Sequence, residues 1–416
     1  MRTFLAILLG KLILILTRTF KIGGGSAAPG LYALNFEPNL VEKLIKKIPK
    51  NIVITGTNGK TTASRMIAHF AKESGLQVIR NHTGSNLERG IASALIAATD
   101  LVDLMRGTYE VDIGIWELDE AAFNSMATKI KPDIIIFLNV FRDQLDRYGE
   151  VDTVVKKWIE TLGQLPEETI VLVNGDDANT LKLKGHFKGK VETFGVEGYK
   201  IAGESIEKRY PSHKLNFEAK NVELDGLNGS LFDLKIENLK LKINLPLPGI
   251  YHIYDALAAF AATSHLGLPT TDLASFQPAF GRFEKLPFGY IFLIKNPAGA
   301  TQVFKTLAPN LNPEDRILLA LNDNLADGTD VSWIWDSEFE KLVGKTDVYV
   351  SGTRANDLAV RLKYAGFDLK SIHIESNLKN ALREARKGLH GQLYILPTYT
   401  AMLEIQQILT KIGVKP

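Results

Sequence analysis

The chain has 416 residues, 45% of them hydrophobic and 23% charged, with a formal net charge of +2 at pH 7. That length accommodates two or three domains with cores of their own, and the near-neutral balance gives no electrostatic footprint for a nucleic-acid partner. Cysteine is absent, which excludes disulfides, thiolate zinc sites and cysteine nucleophiles and fits a cytoplasmic location.

Residues 4–17 (FLAILLGKLILILT) are almost wholly apolar, broken only by Gly10 and Lys11 and followed by Arg18 and Lys21. The run falls short of the about 20 residues that a transmembrane helix needs. It reads either as a helix buried against the next domain or as a helix lying on the inner face of the membrane. Small residues at 23–28 could pass for a signal-peptide cleavage site, but the nucleotide site that follows needs cytoplasmic ATP. A short helical stretch at 40–48 leads into the centre of the chain.

Residues 51–55 form a β-favouring run that ends in the turn Gly56-Thr57-Asn58-Gly59, followed by Lys60, Thr61 and Thr62. The helix beyond carries Ala63, Met66, Ile67, Phe70 and Ala71 on one apolar face. Strand, glycine turn and helix in this order present backbone N–H groups and the positive helix end to an anion. Lys60 is placed to reach the outer phosphates, and the Thr61 hydroxyl to ligate magnesium. A full Walker pattern has glycine where this chain has Ile54, so the match is to a shortened variant. The expected nucleotide contacts are Gly56, Thr57, Asn58, Gly59, Lys60, Thr61 and Thr62.

Strand patterns at 77–80, 111–118, 132–140 and 169–174 alternate with helix-length segments, which predicts a doubly wound, mainly parallel α/β sheet. Polar residues follow these strands, where such folds place ligands: the loop 81–86, Glu117, Asn139, and Asn174 with Asp176 and Asp177. Glu117 is either a magnesium ligand or one of a helix-opening acidic group with Asp119 and Glu120. Residues 190–247 alternate in short runs and predict a β-rich insertion or edge, and 249–255 open an alanine-rich helix. Arg282 either places positive charge on a transferring phosphate or pairs with Glu284. Pro287 and Gly289 read as a linker.

The C-terminal third repeats the alternation, with strands at 290–294, 317–321, 348–351, 372–374 and 393–396 and helices at 355–365, 378–387 and 400–412. The expected organisation is an N-terminal apolar segment (1–40), a central ATP-binding domain (41–286) and a smaller Rossmann-like C-terminal domain (287–416).

These residues together resemble the Mur ligase family, the ATP-dependent amide ligases of cell-wall precursors. The resemblance rests on Thr55-Gly56-Thr57-Asn58-Gly59-Lys60-Thr61-Thr62, Glu117 in its strand, Asn139 with Asp143-Gln144-Leu145-Asp146-Arg147-Tyr148, Asn174 with Asp176-Asp177, and Gly281-Arg282-Phe283. Three C-terminal stretches are similar to the MurT-type branch: Lys295-Asn296-Pro297-Ala298-Gly299, the long run from Leu321 to Asp336 (LNDNLADGTDVSWIWD), and Ser351-Gly352-Thr353-Arg354. The resemblance covers essentially the whole chain.

It implies a synthetase subunit that uses ATP and Mg2+ to phosphorylate the α-carboxyl of D-glutamate in the lipid II stem peptide. A GatD-like glutaminase subunit, joined as a heterodimer, would supply the ammonia that leaves D-isoglutamine. The implied catalytic groups are Lys60, Glu117 and Arg282, with magnesium on Thr61 and Glu117. Asp330 would complete the partner's Cys-His pair; without the resemblance, Asp327 and Asp330 are turn residues around Gly328.

Three departures stand out. The branch's four-cysteine zinc ribbon is missing, so no zinc is expected and the 200–245 segment is read as its trimmed form. The family's Gly-x-x-Asn-x-x-Asn helix start reads Gly249-Ile250-Tyr251-His252-Ile253-Tyr254-Asp255, where Asp255 keeps an acceptor for the nucleotide. No lysine stands in register for the carbamylated lysine of many Mur ligases. Two rival readings are another Mur-type amino-acid ligase and a catalytically reduced nucleotide-binding interaction subunit.

Overall fold

The computed structural model describes residues 2–19, 27–81, 86–100, 110–141, 151–202, 205–208, 215–237, 239–269 and 273–414. The expected motif at 143–148 and loop residues 82–85 lie outside them.

The apolar run before the glycine turn is strand β1 (Lys50–Thr55), buried at every position but the first. Burial on both faces is what a central parallel strand requires. It is flanked by β2 (Val78–Arg80), β3 (Ile113–Leu118), β4 (Ile134–Phe137), β5 (Ile170–Asn174) and β6 (Val191–Val196). Beyond the hairpin β7 (Tyr199–Ala202) and β8 (Ser205–Lys208) come β9 (Phe217–Asp225), β10 (Gly229–Ile236) and β11 (Leu239–Leu245). The nine-stranded order is β11-β10-β9-β6-β5-β4-β1-β3-β2. β1 pairs in parallel with both β3 and β4, so the chain runs one way to β2 and the other way through β4 to β6. The crevice at the carboxyl ends of β1 and β4 is therefore the switch point of the sheet, the place where such folds bind ligands. The expected β-rich segment is an edge: β9 pairs in parallel with β6, and β10 and β11 extend the same sheet antiparallel.

The described helices of this part begin with α1 (Arg2–Thr19), α2 (Ala28–Phe36), α3 (Leu40–Ile45), α4 (Lys60–Glu73), α5 (Glu88–Ala98), α6 (Glu120–Ile130) and α7 (Val151–Leu162). After a short turn of helix, α8 (Ala178–Leu181), the alanine-rich α9 (Ile250–His265) returns across the sheet. Helices α4 and α9 share one face, where Phe70 and Phe260 meet at 5.2 Å between ring centroids. The other face is sealed by α3, α5, α6 and α7, with Trp158 fully buried against Phe137. Burying aromatics of this size supplies much of the driving force for closing each face.

The N-terminal helix is buried along one side only. Ala6, Ile7 and Gly10 of α1 are buried against α2 and α5, while its opposite side is open. Contact between α2 and α5 depends on Gly30, where a Cβ would lie 1.9 Å from the Arg89 carbonyl oxygen. No helix among the described residues is long and apolar enough to cross a membrane.

The second sheet contains β12 (Arg282–Leu286), β13 (Gly289–Phe292), β14 (Arg316–Ala320), β15 (Asp347–Ser351), β16 (Ile372–Ile374) and β17 (Leu393–Pro397), in the order β12-β13-β17-β14-β15-β16. Leu286 pairs with Gly289 across an antiparallel hairpin. Pro287 and Phe288 are thus a turn inside this sheet rather than a linker, and Arg282 belongs to the second sheet. Helices α10 (Pro297–Leu307), α11 (Ala355–Ala365), α12 (Leu378–Arg386) and α13 (Tyr399–Lys411) cover it. The first of these, α10, is absent from the sequence reading. Its start is nevertheless written in Asn296-Pro297: the Asn296 side chain accepts from the Gly299 N–H at 2.9 Å, and proline occupies the first helical position.

Candidate active site

Gly59 sits at the amino end of α4 with φ of 92°, a left-handed conformation that glycine adopts without strain. A Cβ there would also come within 2.1 Å of Asp255 Oδ1, so the site excludes any larger residue twice over. Asn139, just past β4, braces the turn: its Oδ1 accepts from the Asn58 N–H at 2.9 Å, and its Nδ2 donates to Asn58 O at 3.0 Å. The Thr57 N–H donates to Asn139 O at 3.1 Å. Asn174, at the end of β5, steadies the same crevice by donating to Leu138 O at 2.9 Å.

Lys60 is buried and its ammonium donates to the carbonyls of Gly56 and Thr57. The Thr61 hydroxyl donates to Glu117 Oε2 and the Ser64 hydroxyl to Glu117 Oε1, each at 2.6 Å. Glu117 is fully buried, and Asn81 exchanges two hydrogen bonds of 2.8 Å with its backbone. A carboxylate beside a hydroxyl at the end of a phosphate-type loop is a hard oxygen pair, the chemistry that suits magnesium. No group of three or more His, Cys, Asp or Glu side chains among the described residues could hold a metal ion by itself. Oxygens of a nucleotide would have to complete the shell, as is usual for magnesium.

Glu120 is the site residue that sequence reasoning missed, having been read only as a helix-opening acid. Burial works to raise its pKa, but the Lys60 and Lys295 ammonium groups and the Thr57 hydroxyl outweigh that and hold the carboxyl below its ordinary value. Arg282 does not take Glu284 as its partner; Glu284 accepts from the Gly281 N–H at 3.0 Å. Burial lowers the Arg282 pKa while Glu117 and Asp255 pull it back, so the guanidinium remains cationic. Burial raises the Asp255 pKa against the pull of His252, whose Nδ1 lies 3.3 Å from Asp255 Oδ2.

One cavity of about 850 Å³ is lined by residues 57–62 of the loop, Glu120, Asn139, Asp255, Arg282 and Lys295, with Glu117 buried behind it against the Thr61 hydroxyl. The C-terminal domain closes it. The Asn58 and Asn296 side chains form a reciprocal amide pair, at 3.0 and 3.3 Å, and Lys295 Nζ donates to Thr57 O at 3.4 Å. Leu325, Ala326 and Asp327 also reach the cavity, but Asp330 does not. Asp330 is exposed, its carboxylate accepting from the Ser332 N–H at 2.8 Å and the Ser332 hydroxyl at 3.0 Å. The expected site residues therefore separate into a cluster around the loop and an aspartate on the surface outside it.

Comparison with known proteins agrees with this architecture. The Mur ligase middle domain matches residues 54–263, and the MurT ligase C-terminal domain matches residues 293–402. The chain is 31% identical to the Streptococcus pneumoniae lipid II isoglutaminyl synthase (glutamine-hydrolyzing) subunit MurT, over 94% of this chain and 93% of that protein. It is 29% identical to the corresponding Staphylococcus aureus subunit, over 99% and 98%. The crystal structure of MurF ligase from Thermotoga maritima in complex with ADP superposes with a TM-score of 0.66 at 14% identity, covering 91% of this chain and 85% of that one. The two curated relatives are named as subunits, which implies a partner chain. A phosphate-type loop at the switch point, a C-terminal α/β domain clasped onto it and similarity along nearly the full length of both relatives place the chain in the Mur ligase family, in its MurT branch.

Proposed function

We propose that this chain is the synthetase subunit of a lipid II isoglutaminyl synthase, working at the inner face of the membrane with a glutaminase subunit as partner. The observation that carries the reading is the meeting of Lys60, Thr61 and Arg282 around one cavity, with Glu117 bonded to Thr61 behind it, in a chain similar to MurT subunits over nearly its full length.

In the first step an oxygen of the D-glutamate α-carboxylate attacks the γ-phosphorus of ATP, and the bond to the β,γ-bridging oxygen breaks to release ADP. Positioning and charge neutralisation dominate such a transfer. The loop N–H groups and Lys60 hold the phosphates, and Arg282 faces the charge that develops on the transferring group. Magnesium, bound by Thr61, Glu117 and phosphate oxygens, would neutralise the phosphate charge. Glu120 keeps the Lys60 and Lys295 ammonium groups oriented toward the loop. In the second step ammonia attacks the acyl carbon, the nitrogen loses a proton, and phosphate leaves with the acyl C–O bond.

Reconstitution tests the proposal. Purified chain, glutaminase partner, lipid II, ATP and glutamine should give a stem peptide whose mass changes from carboxylic acid to amide, with ADP formed in step. A product heavier by an amino-acid residue would establish the rival amino-acid ligase, and no ATP turnover would establish the interaction subunit.

Asp255 gives a separate expectation. A buried carboxylate behind the loop repels a triphosphate, and Asn keeps an acceptor while removing the charge. Asp255→Asn should tighten ATP binding by about 1 kcal/mol, roughly fivefold, as measured by calorimetric titration. Tenfold weaker binding would mean that the carboxylate charge itself serves the nucleotide.

A further inference from the structure

Leu5, Leu8, Leu9, Leu12, Ile15 and Leu16 are all exposed on α1, with Leu12 at 54% and Ile15 at 61%. Spacings of three and four put them on a single helix face. This inverts an ordinary surface helix, because only Ala6, Ile7 and Gly10 are buried against the protein while the leucines face outward. Helix α2 contributes exposed Leu31, Tyr32 and Phe36. Arg2 Nε donates to Phe36 O at 2.7 Å, so the end of α2 lies beside the start of α1 and the two apolar sets adjoin. A contiguous apolar surface of this kind marks an interaction site.

Charge selects the occupant. Residues 1–36 contain Arg2, Lys11, Arg18 and Lys21 and no Asp or Glu. A second copy of the chain would bring a segment of the same positive charge against this one, whereas anionic lipid headgroups neutralise that charge. Apolar side chains on one face of a helix in a segment whose only charges are basic are the pattern of a helix lying in the membrane interface.

We propose that α1 and α2 form a docking surface for an anionic lipid leaflet. The proposal builds on the reading that the substrate is lipid-linked, and the fold connects the two. Gly30 of α2 packs on the carbonyl of Arg89, and Arg89, at the start of α5, lines the active-site cavity. One short helix start thus separates the docked face from the cavity, which a stem peptide attached to a membrane lipid must reach.

The test is co-sedimentation of the full-length chain with vesicles of phosphatidylcholine alone or mixed with phosphatidylglycerol. The wild-type chain should bind the anionic vesicles and lose that binding in high salt. The double variant Leu12→Glu, Ile15→Glu should bind them at least tenfold more weakly, with unchanged thermal unfolding and ATP binding. The proposal falls if the wild type binds neither vesicle, if the variant binds equally well, or if the variant merely dissolves a dimer. Amidation of a soluble substrate lacking the lipid tail should be equal in both chains. If neither chain amidates it while the vesicle result holds, the docking surface stands and the proposed activity fails.

Discussion

Lys60→Ala is expected to abolish ATP-dependent amidation while the chain stays folded. The Lys60 ammonium is the one lysine charge buried within the described phosphate-type loop, anchored on the carbonyls of Gly56 and Thr57. Removing a single preorganised group that faces developing charge costs about 2.7–4 kcal/mol of barrier, or roughly 10²–10³ in rate. Glu117→Gln should cause a comparable loss, since the amide keeps the size of the side chain but forfeits the charge that would hold magnesium. Glu117→Ala is the poorer probe: it leaves the Thr61 and Ser64 hydroxyls without their acceptor, which costs stability as well. ADP release in the presence of lipid II and ammonia, read beside the unfolding temperature, separates the two effects. Turnover within a few-fold of wild type in Lys60→Ala would contradict the proposed phosphoryl transfer.

Asp330→Asn should behave quite differently. Asp330 lies outside the cavity, on an exposed loop beyond β14, with its carboxylate held by Ser332. Leu325 and Trp335 are exposed on this same segment, and the Trp335 ring lies 5.8 Å from that of Tyr364, itself exposed. Exposed aromatic and aliphatic side chains around a polar group are what a partner's docking face requires. If Asp330 orients a histidine of the glutaminase, its amide variant should lower glutamine-driven amidation by about 10⁴, as in triads that lose their aspartate. Amidation driven by free ammonia should remain near wild type, because the acyl phosphate forms at the other site. Equal loss of both would assign Asp330 to the synthetase cavity and end the proposed division of labour between subunits.

What the sequence revealed about this molecule was mostly local. The strand, turn and helix around Gly59 are encoded within about a dozen neighbouring residues, and the parallel strands announce themselves as apolar runs between turn residues. Strand β16 (Ile372–Ile374) and helix α11 (Ala355–Ala365) have the bounds that their patterns suggested. Long-range partnerships were not legible. Asn58 and Asn296 are 238 residues apart, and nothing in either stretch alone says that their amides pair. Glu120 looks like any acid in the first turn of a helix until the fold brings Lys60 and Lys295 to it. The apparent linker at Pro287 and Gly289 leaves Arg282 in the central domain, whereas the hairpin pairing of β12 with β13 carries it into the second sheet. For residues 4–17, composition could not tell a buried helix from a surface one. The decision came from packing, with Ala6 and Gly10 turned inward and the leucines outward.

The central claim is that the substrate carboxylate is activated by direct attack on the γ-phosphate of ATP. It is tested most directly by labelling the D-glutamate α-carboxylate oxygens of lipid II with oxygen-18 and following the label through one turnover with ATP and ammonia. The proposed chemistry transfers one carboxylate oxygen to inorganic phosphate and keeps the other in the amide, with ADP as the nucleotide product. Inorganic phosphate free of label, or label appearing in AMP, would contradict it.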